Sequence, residues 1–167
     1  MIKIIKSGLY SSVQDKGRVG IQSYGVPYSG SMDSFSSDLA NKILNNSEDA
    51  AVIEITMVGP VLEFNNETVI SITGANLSPL LNNKIIKMYE PVIIKANDLL
   101  SFGGLKSGLR AYIAILGGFK TEKVYGSRSM FKNFTKHFKL NVNDILTFNN
   151  DILFKSCLLY TSDAADE

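Results

Sequence analysis

The chain has 167 residues, of which 45% are hydrophobic and 20% are charged, and its formal net charge is +1. A chain of this length can bury one sizeable core, so a single folded unit is expected. The near-neutral charge gives no electrostatic footprint for nucleic acid or an anionic membrane, and no apolar run reaches the roughly 18 to 20 residues of a membrane span. We therefore expect a cytoplasmic protein that binds neither nucleic acid nor membrane.

Cys157 and His137 are the single cysteine and the single histidine of the chain. An internal disulfide is therefore impossible, and a metal site built from clustered Cys and His ligands is excluded. His137 lies in a stretch rich in Phe and Lys, where a solvated or half-packed imidazole is more common than a catalytic one. The sequence therefore predicts no metal site.

The N-terminal region predicts a strand followed by a long glycine-rich loop. Residues 2–5 alternate weakly, which is typical of a first strand. Residues 8–33 then contain five glycines and Pro27. Glycine at this density marks turns or a close approach of the backbone to a ligand, and a long segment without its own periodicity is often functional. We interpret this segment as a functional loop.

Residues 33–45 are the best helix candidate. Apolar side chains recur at near-helical spacing, Ser31 or Asp33 can cap the N-terminus, and the Asn45–Asn46 pair suits the end. The apolar side chains assigned to one face of this helix are Met32, Phe35, Leu39, Ile43 and Leu44.

The rest of the chain is typical of β-structure. Short β-branched segments alternate with turn residues, and residues 109–116 (LRAYIAIL) are apolar on both faces, which indicates a central, covered strand. Many short strands with close turns indicate a barrel or sandwich with one helix packed on it. The other predicted strands are 52–57, 61–64, 68–73, 84–86, 91–94, 99–102 and 144–148.

The last eleven residues differ in composition from the rest. Residues 157–167 (CLLYTSDAADE) contain no Asn, Ile or Lys, although the preceding chain is rich in all three. They resemble an in-frame translation of a transposase-type sequencing adaptor. We expect the genuine coding sequence to stop near Ser156, so that residues 157–167 are a non-native tail. The alternative is a real polar C-terminus.

Two polar clusters lie in the glycine-rich segment. Gln14 can donate to and accept from an amide or ureido ligand, Asp15 can accept protons or hydrogen bonds, and Arg18 offers a planar fork for a carboxylate or phosphate. The alternative is a solvated Asp15–Arg18 surface pair. The second cluster comprises Ser29, Gly30, Ser31 and Asp33 at the predicted helix start, where backbone N–H groups favour an anion; ordinary helix capping is the alternative.

Four further segments carry polar or glycine residues of low specificity. Arg128 stands between serines as another anion-binding candidate, and Glu54 sits within a strand, either buried with a partner or facing solvent. Residues 73–75 and 117–118 can bring backbone donors to a substrate oxygen or can be plain turns. No GxxxxGK[ST] phosphate loop occurs in the sequence.

Several motifs, in this order, resemble one family. Residues 8–20 (GLYSSVQDKGRVG) resemble its opening G-x-x-[ST]-[ST]-V-Q-D-x-G-R-x-G, and residues 25–33 (GVPYSGSMD) resemble its G-[VI]-[PS]-x-[SG]-G-[AS]-[ML]-D. The segments VIEIT, TGAN, LRAYIAILGG and YGSRSM continue the resemblance to about Ser129. The chain thus resembles the N-terminal half of the family of biotin-dependent carboxyltransferases and 5-oxoprolinase C subunits, also called allophanate hydrolase subunit 2.

The resemblance implies a mainly β, cyclophilin-like barrel domain, residues 1–156 here, followed in the family by a second barrel domain, with the active site between the two. It implies a hydrolase or carboxyltransferase subunit that works with a B-type partner, and possibly an A-type partner, to open 5-oxoproline to glutamate with ATP hydrolysis. Fused relatives in urea carboxylase move a carboxyl group from carboxybiotin to urea. ATP is therefore an expected cofactor of the complex, whereas no biotin-carrier motif such as M-K-M occurs in this chain, so bound biotin is not expected.

Two departures from the family pattern bear on activity. Residues 131–146 contain no glycine, where the family is usually glycine-rich, and the second domain is missing. This fragment alone is therefore expected to be inactive.

Two functions remain open at this point. As an enzyme subunit, the chain would act on an amide or ureido substrate, with Asp15 or Asp33 as the proton acceptor. As a regulatory module, it would bind a B-like partner without turnover. For the enzyme, we expect a shared polar pocket and expect Asp15→Ala to abolish activity without unfolding the protein. The expected substrate-binding residues are Gln14, Arg18, Ser29, Gly30, Ser31 and Arg128.

Overall fold

The computed structural model describes residues 1–149, which form a mainly β structure with one α-helix. The elements are β1 (Ile2–Lys6), β2 (Tyr10–Gln14), α1 (Ser34–Ile43), β3 (Val52–Thr56), β4 (Val61–Phe64), β5 (Thr68–Asn76), β6 (Pro79–Leu81), β7 (Lys84–Ile85), β8 (Val92–Ile94), β9 (Leu99–Phe102), β10 (Ser107–Ile115) and β11 (Ile145–Leu146). A short 3₁₀ turn covers Gln22–Tyr24.

The strands form two antiparallel sheets. One has six strands in the order β11-β1-β4-β9-β6-β7, and the other has five in the order β2-β3-β10-β5-β8. Their inner faces share one apolar core, to which Ile4 and Leu62 contribute from the first sheet and Ile53 and Ile113 from the second. The predicted mainly β fold with one packed helix is therefore confirmed, although its strands are divided between two sheets.

Strand β10 lies in the middle of the five-stranded sheet, as its apolar sequence predicts. Ile113 faces the core between the sheets, whereas Tyr112 and Ala114 face the opposite side, where they pack in a second cluster with Ala40 of α1. A strand covered on both faces must be apolar throughout. The register opposite β3 pairs Tyr112 with Glu54, which places these two polar side chains side by side under the start of α1.

The helix begins where predicted but buries a different face. The Asp33 carboxylate caps it by accepting from the Ser36 N–H at 3.0 Å, which confirms one of the two predicted caps. However, Met32 and Phe35 are 71% and 76% exposed, so the predicted apolar face is wrong at these positions, whereas Leu44 is buried as predicted and Ile43 packs against the same apolar cluster. The side chains that α1 buries are Ser36, Ser37, Ala40 and Asn41.

The reason lies in the strand beneath the helix. The Ser71 hydroxyl of β5 donates to the Ala40 carbonyl at 2.6 Å, and the Thr73 hydroxyl donates to the Ser36 carbonyl at 2.7 Å. These bonds bring the helix backbone close to the sheet, which only small side chains permit. Hydrogen bonding and close approach therefore outweigh apolar periodicity in orienting α1.

Part of the predicted glycine-rich loop is a strand, so that interpretation is wrong for residues 10–14. Val13 of β2 is fully buried in the core, and β2 pairs with β3 over its whole length. Its other edge is covered by a later segment: the Met130 N–H donates to the Val13 carbonyl at 2.9 Å, and the Leu140 N–H donates to the Ser11 carbonyl at 2.7 Å. This cover brings the Arg128 region next to the end of β2.

Within residues 1–149, no helix combines the length and apolar character needed to cross a membrane. The predicted non-native tail, residues 157–167, lies outside the described residues.

Candidate functional site

The Asp15 carboxylate joins the end of β2 to a loop more than a hundred residues later. Its Oδ1 accepts from the Gly17 N–H at 2.8 Å, the Ser127 hydroxyl at 2.6 Å and the Ser129 hydroxyl at 2.7 Å. Its Oδ2 accepts from the Arg128 N–H at 2.5 Å. Asp15 therefore holds two chain segments together through charge-assisted hydrogen bonds.

Arg18 completes this arrangement from the inside. It is 1% exposed, and its Nε and Nη2 donate to the carbonyls of Val124 at 3.0 Å and Ser129 at 2.7 Å, while Nη1 donates to the Ser29 hydroxyl. Burial lowers the pKa of the guanidinium, and the Asp15 charge opposes that effect. All three guanidinium nitrogens thus have protein acceptors. We call this cluster the Asp15 node; its members are Asp15, Arg18, Ser29, Ser127 and Ser129.

Gln14 and Ser31 lie next to the node and retain unused polar atoms. The Gln14 Nε2 donates to the Ser12 hydroxyl at 2.9 Å and to the Met130 carbonyl at 3.2 Å. The Ser31 N–H donates to the Asp15 carbonyl at 3.0 Å. Among residues 1–149, the buried Gln14 Oε1 and Ser31 Oγ have no hydrogen-bond partner.

Gly30 allows the two glycine-spaced loops to touch. Its φ is +92°, in the left-handed region, and a Cβ there would lie 3.2 Å from the Asp15 carbonyl oxygen. The residue type thus serves the close approach of the two loops.

Arg128 contributes its backbone to the node and its side chain elsewhere. Its guanidinium donates to the Thr121 carbonyl and lines a cleft of about 370 Å³ that also includes Lys120 and His137. A second cleft, of about 410 Å³, is lined by Arg128, Asp15 and Asp49. Arg128 therefore borders two clefts beside the node.

Asp33 lies at a different cleft, of about 420 Å³, between the start of α1 and the β5–β10 pair. Hydrogen bonds from the Ser36 hydroxyl and N–H lower the pKa of the Asp33 carboxyl, which keeps it ionised. We call this the Arg110 cleft; residues that line it are Asp33, Ser36, Gly74, Tyr89, Gly108 and Arg110.

A buried polar network supports the Arg110 cleft. The Glu54 Oε1 accepts from Arg110 Nη1 at 2.8 Å, and its Oε2 accepts from the Tyr112 hydroxyl at 3.0 Å and the Met32 N–H at 2.8 Å. The Tyr112 oxygen in turn accepts from the Asp33 N–H at 2.8 Å. Burial raises the pKa of the Tyr112 hydroxyl, which keeps it protonated and able to donate.

The structure divides the predicted site residues between these two places. Asp15, Arg18 and Ser29 meet in the Asp15 node, with Arg128 at its border, whereas Asp33 borders the Arg110 cleft. The expected single pocket is therefore replaced by two regions. The catalytic and binding roles assigned to these residues stay predictions.

Other sequence candidates have clear positions. Glu54 is buried with a partner, which is one of its two predicted alternatives. Gly117 donates to the Asn46 Oδ1 at 2.8 Å and Gly118 to the Ile115 carbonyl at 2.9 Å, so this pair forms a plain turn. Residues 73–75 lie within β5 and do not form a turn. Gly74 pairs with Ala111 of β10, next to the point where the register shifts, and it lines the Arg110 cleft.

Sequence reasoning missed Arg110 and Tyr112 as site residues. A signal existed, because residues two apart on a strand share a face, and both interrupt an apolar run. The link to Glu54 had no local signal, because it depends on the register between β3 and β10.

Comparison with known proteins gives a consistent result. A family model described as the carboxyltransferase domain, subdomain A and B, matches residues 24–161. The urea amidolyase of Saccharomyces cerevisiae is 44% identical over 131 residues, which are 78% of this chain and 7% of that protein. The C subunit of the Escherichia coli 5-oxoprolinase is 32% identical over 129 residues, which are 77% of this chain and 42% of that protein.

A solved structure shares both fold and sequence with this chain. The crystal structure of the Kluyveromyces lactis urea carboxylase superimposes with a TM-score of 0.84 at 38% identity, covering 90% of this chain and 14% of that one. The chain spans less than half the length of each of these three proteins. With the family model matching most of its residues, the chain belongs to the family of carboxyltransferase domains, subdomain A and B.

Proposed function

We propose that this chain is part of the C subunit of an ATP-dependent 5-oxoprolinase, or of a related biotin-dependent carboxyltransferase, that acts on an amide or ureido substrate with a B-type partner. The observation that carries the proposal is the sequence identity that this chain shares with relatives named for two different substrates. Urea and 5-oxoproline, the compounds in those names, both contain a carbonyl group bonded to N–H. We infer that the domain common to these relatives holds a site for that group.

The partner is part of the proposal because one relative is named as a subunit. Such a name implies a complex, and we assign its other members to a B-type protein and, in the 5-oxoprolinase case, an A-type protein. The exposed apolar side chains Met32 and Phe35 at the start of α1 are available for such a contact.

The start of α1 does not fit a phosphate group of ATP. A helix N-terminus favours a phosphate, but the α1 N-terminus is already capped by the ionised Asp33 carboxylate, which repels one. We therefore assign ATP to a partner protein, and we assign no step of its chemistry to this chain.

The two predicted proton acceptors differ in what their surroundings allow. Asp33 borders open space, but its lowered pKa makes it a weak base and a good acceptor of hydrogen bonds. Asp15 accepts four hydrogen bonds within the protein. We propose that Asp33 orients the substrate at the Arg110 cleft, and that Asp15 and Arg18 hold in place the neighbouring loops that carry Ser29, Gly30, Ser31 and Arg128.

The test is co-expression of the full-length protein with a B-type partner, and with an A-type partner, followed by an ATPase assay. We expect ATP hydrolysis that depends on added 5-oxoproline or urea. Asp15→Asn, which retains three of the four acceptor contacts, is expected to reduce turnover while the complex still assembles. Wild-type turnover by that variant would remove Asp15 from the site.

The regulatory module remains a second candidate because the Asp15 node satisfies its own hydrogen bonds, as a purely structural cluster does. A stable complex whose ATP hydrolysis responds to neither substrate would support this alternative and overturn the enzyme.

A further inference from the structure

We propose that the Arg110 cleft binds the amide group itself, with Arg110 donating to the carbonyl oxygen and Asp33 accepting from the N–H, and that Glu54 is the residue that positions Arg110. The inference rests on the proposed function and specifies the site and the contacts that the function leaves open. Three observations carry it: the shape of the cleft, the hydrogen bonds by which Glu54 holds Arg110, and the charges of the side chains at the cleft.

A backbone irregularity creates room for a ligand. The register between β5 and β10 shifts between Ser107 and Ala111, and at this point Gly74 adopts a φ of +80°. A Cβ on Gly74 would lie 2.5 Å from the Arg110 carbonyl oxygen, so the two backbones approach too closely for any other residue. The Tyr89 hydroxyl donates to the Gly74 carbonyl at 2.8 Å and closes one side of the cleft.

Arg110 is held in place by a carboxylate that is itself fixed. Its Nη1 donates to Glu54 at 2.8 Å and to the Thr56 hydroxyl at 3.3 Å, and Glu54 is anchored by Tyr112 and the backbone before α1. Within residues 1–149, the hydrogen bonds of the Arg110 side chain all use Nη1. The Arg110 side chain is 26% exposed and lines the cleft, so its remaining N–H groups can serve a ligand.

The charges favour a neutral amide over a carboxylate as the group held between Arg110 and Asp33, so the carboxylate of 5-oxoproline lies outside this contact. The single positive charge of Arg110 is balanced by Glu54, and the ionised Asp33 adds a second negative charge at the same cleft. A carboxylate would therefore be repelled by Asp33 and gain little from the paired Arg110. An amide presents an acceptor and a donor on one planar group, which matches a guanidinium and a carboxylate at one cleft.

The test measures binding without turnover. The full-length protein labelled with ¹⁵N is titrated with 2-pyrrolidinone, a neutral lactam, and with cyclopentanecarboxylate, an anion of similar size. We expect the lactam to shift the amide signals of Gly74 and Gly108 and the Arg110 Nε–H signal, and the carboxylate to leave them in place. Equal or stronger shifts with the carboxylate would overturn the proposal.

Variants assign the contacts. Arg110→Lys keeps the charge but loses the planar fork, and Asp33→Asn keeps a helix-capping side chain but loses the charge; each is expected to weaken lactam binding about tenfold, the loss of one charge-assisted hydrogen bond. The matched control is Lys106→Gln, which removes an exposed charge just before β10 begins. This variant is expected to bind the lactam as the wild type does. Unchanged binding by Arg110→Lys would remove Arg110 from the site.

Glu54 is tested as a positioning residue. Glu54→Gln is expected to broaden or shift the Arg110 Nε–H signal before any ligand is added, and to weaken lactam binding less than Arg110→Lys does. If Glu54→Gln unfolds the protein, the double variant Glu54→Gln/Arg110→Gln replaces the ion pair with two neutral amides. This double variant is expected to fold but not to bind the lactam. Wild-type binding by that folded double variant would overturn the proposal.

The outcomes separate this inference from the proposed function. One outcome is that the lactam binds in a way that depends on Arg110 while the complex shows no substrate-dependent ATP hydrolysis. That result would overturn the proposed enzyme function but support amide binding in the Arg110 cleft. Conversely, substrate-dependent ATP hydrolysis whose KM is the same in Arg110→Lys as in the wild type would support the proposed function and overturn amide binding in the Arg110 cleft.

Discussion

The Asp15 node and the Arg110 cleft are built from the same residue types and use them differently. In the node, a buried guanidinium and a carboxylate bond to protein groups on every side, and they hold together loops that are distant in sequence. In the cleft, a guanidinium is fixed through one nitrogen, and a carboxylate capping the helix borders the same open space. Arg and Asp side chains near glycines therefore mark a candidate binding site only where some of their hydrogen-bonding capacity remains free.

The largest effect that distinguishes the two regions is expected from Arg18. Arg18→Lys keeps the charge but cannot serve acceptors on three sides, so unfolding in urea should show a loss of about 3 kcal/mol. The matched control Arg128→Lys leaves the backbone N–H that binds Asp15 and should cost about 1 kcal/mol or less. Equal stabilities for Arg18→Lys and the wild type would show that the node is not a structural unit.

The same logic revises the expected effect of Asp15→Ala. Because its carboxylate accepts four hydrogen bonds, the alanine variant leaves several donors without a partner. The sequence alone favours loss of activity in an intact fold, whereas the structure favours loss of stability as well, which is why Asp15→Asn is the better variant for an activity test.

Gly74 tests whether the shape of the cleft depends on its backbone irregularity. Gly74→Ala introduces a Cβ at a positive φ against the Arg110 carbonyl, and we expect a stability loss of about 2 kcal/mol together with weaker lactam binding. Gly104→Ala is the matched control, because a Cβ there meets no atom within 4 Å. Normal lactam binding by a folded Gly74→Ala protein would contradict the proposed shape of the site.

The smallest effect concerns Asp33 and its dependence on pH. Hydrogen bonds from Ser36 lower its pKa below the ordinary value of 3.8, so the ionised cap stabilises the folded state above about that pH, and this contribution is lost as the pH falls through the lowered pKa. Asp33 is largely solvated, so we expect Asp33→Asn to cost only about 0.5 kcal/mol at neutral pH. Urea unfolding of both proteins from pH 6 to pH 2 should show this difference shrinking with acidity, and a constant difference would exclude the cap as its origin.

The elements with strong local signals were predictable from the sequence. The apolar run of β10 and the Asp33 cap of α1 follow from strand burial and from the orphan N–H groups of a helix start. The short β-branched segments between turn residues likewise predict the mainly β fold. These features depend on residues close together in the chain.

The remaining features depend on contacts between distant segments. The buried face of α1 is set by the Ser71 and Thr73 hydroxyls of β5, and it leaves Met32 and Phe35 exposed. The role of Arg18 depends on acceptors more than a hundred residues away. Local periodicity carries no information on such pairings.

The cover over β2 also has a consequence for self-association. An edge strand presents unpaired N–H and carbonyl groups that can template pairing with another chain. The N–H groups of Met130 and Leu140 donate to the carbonyls of Val13 and Ser11. Residues 130–140 therefore cover this edge, so that these carbonyls are not free to pair with a strand of a second molecule. The segment that follows Ser129 of the Asp15 node thereby also covers the β2 edge of this sheet.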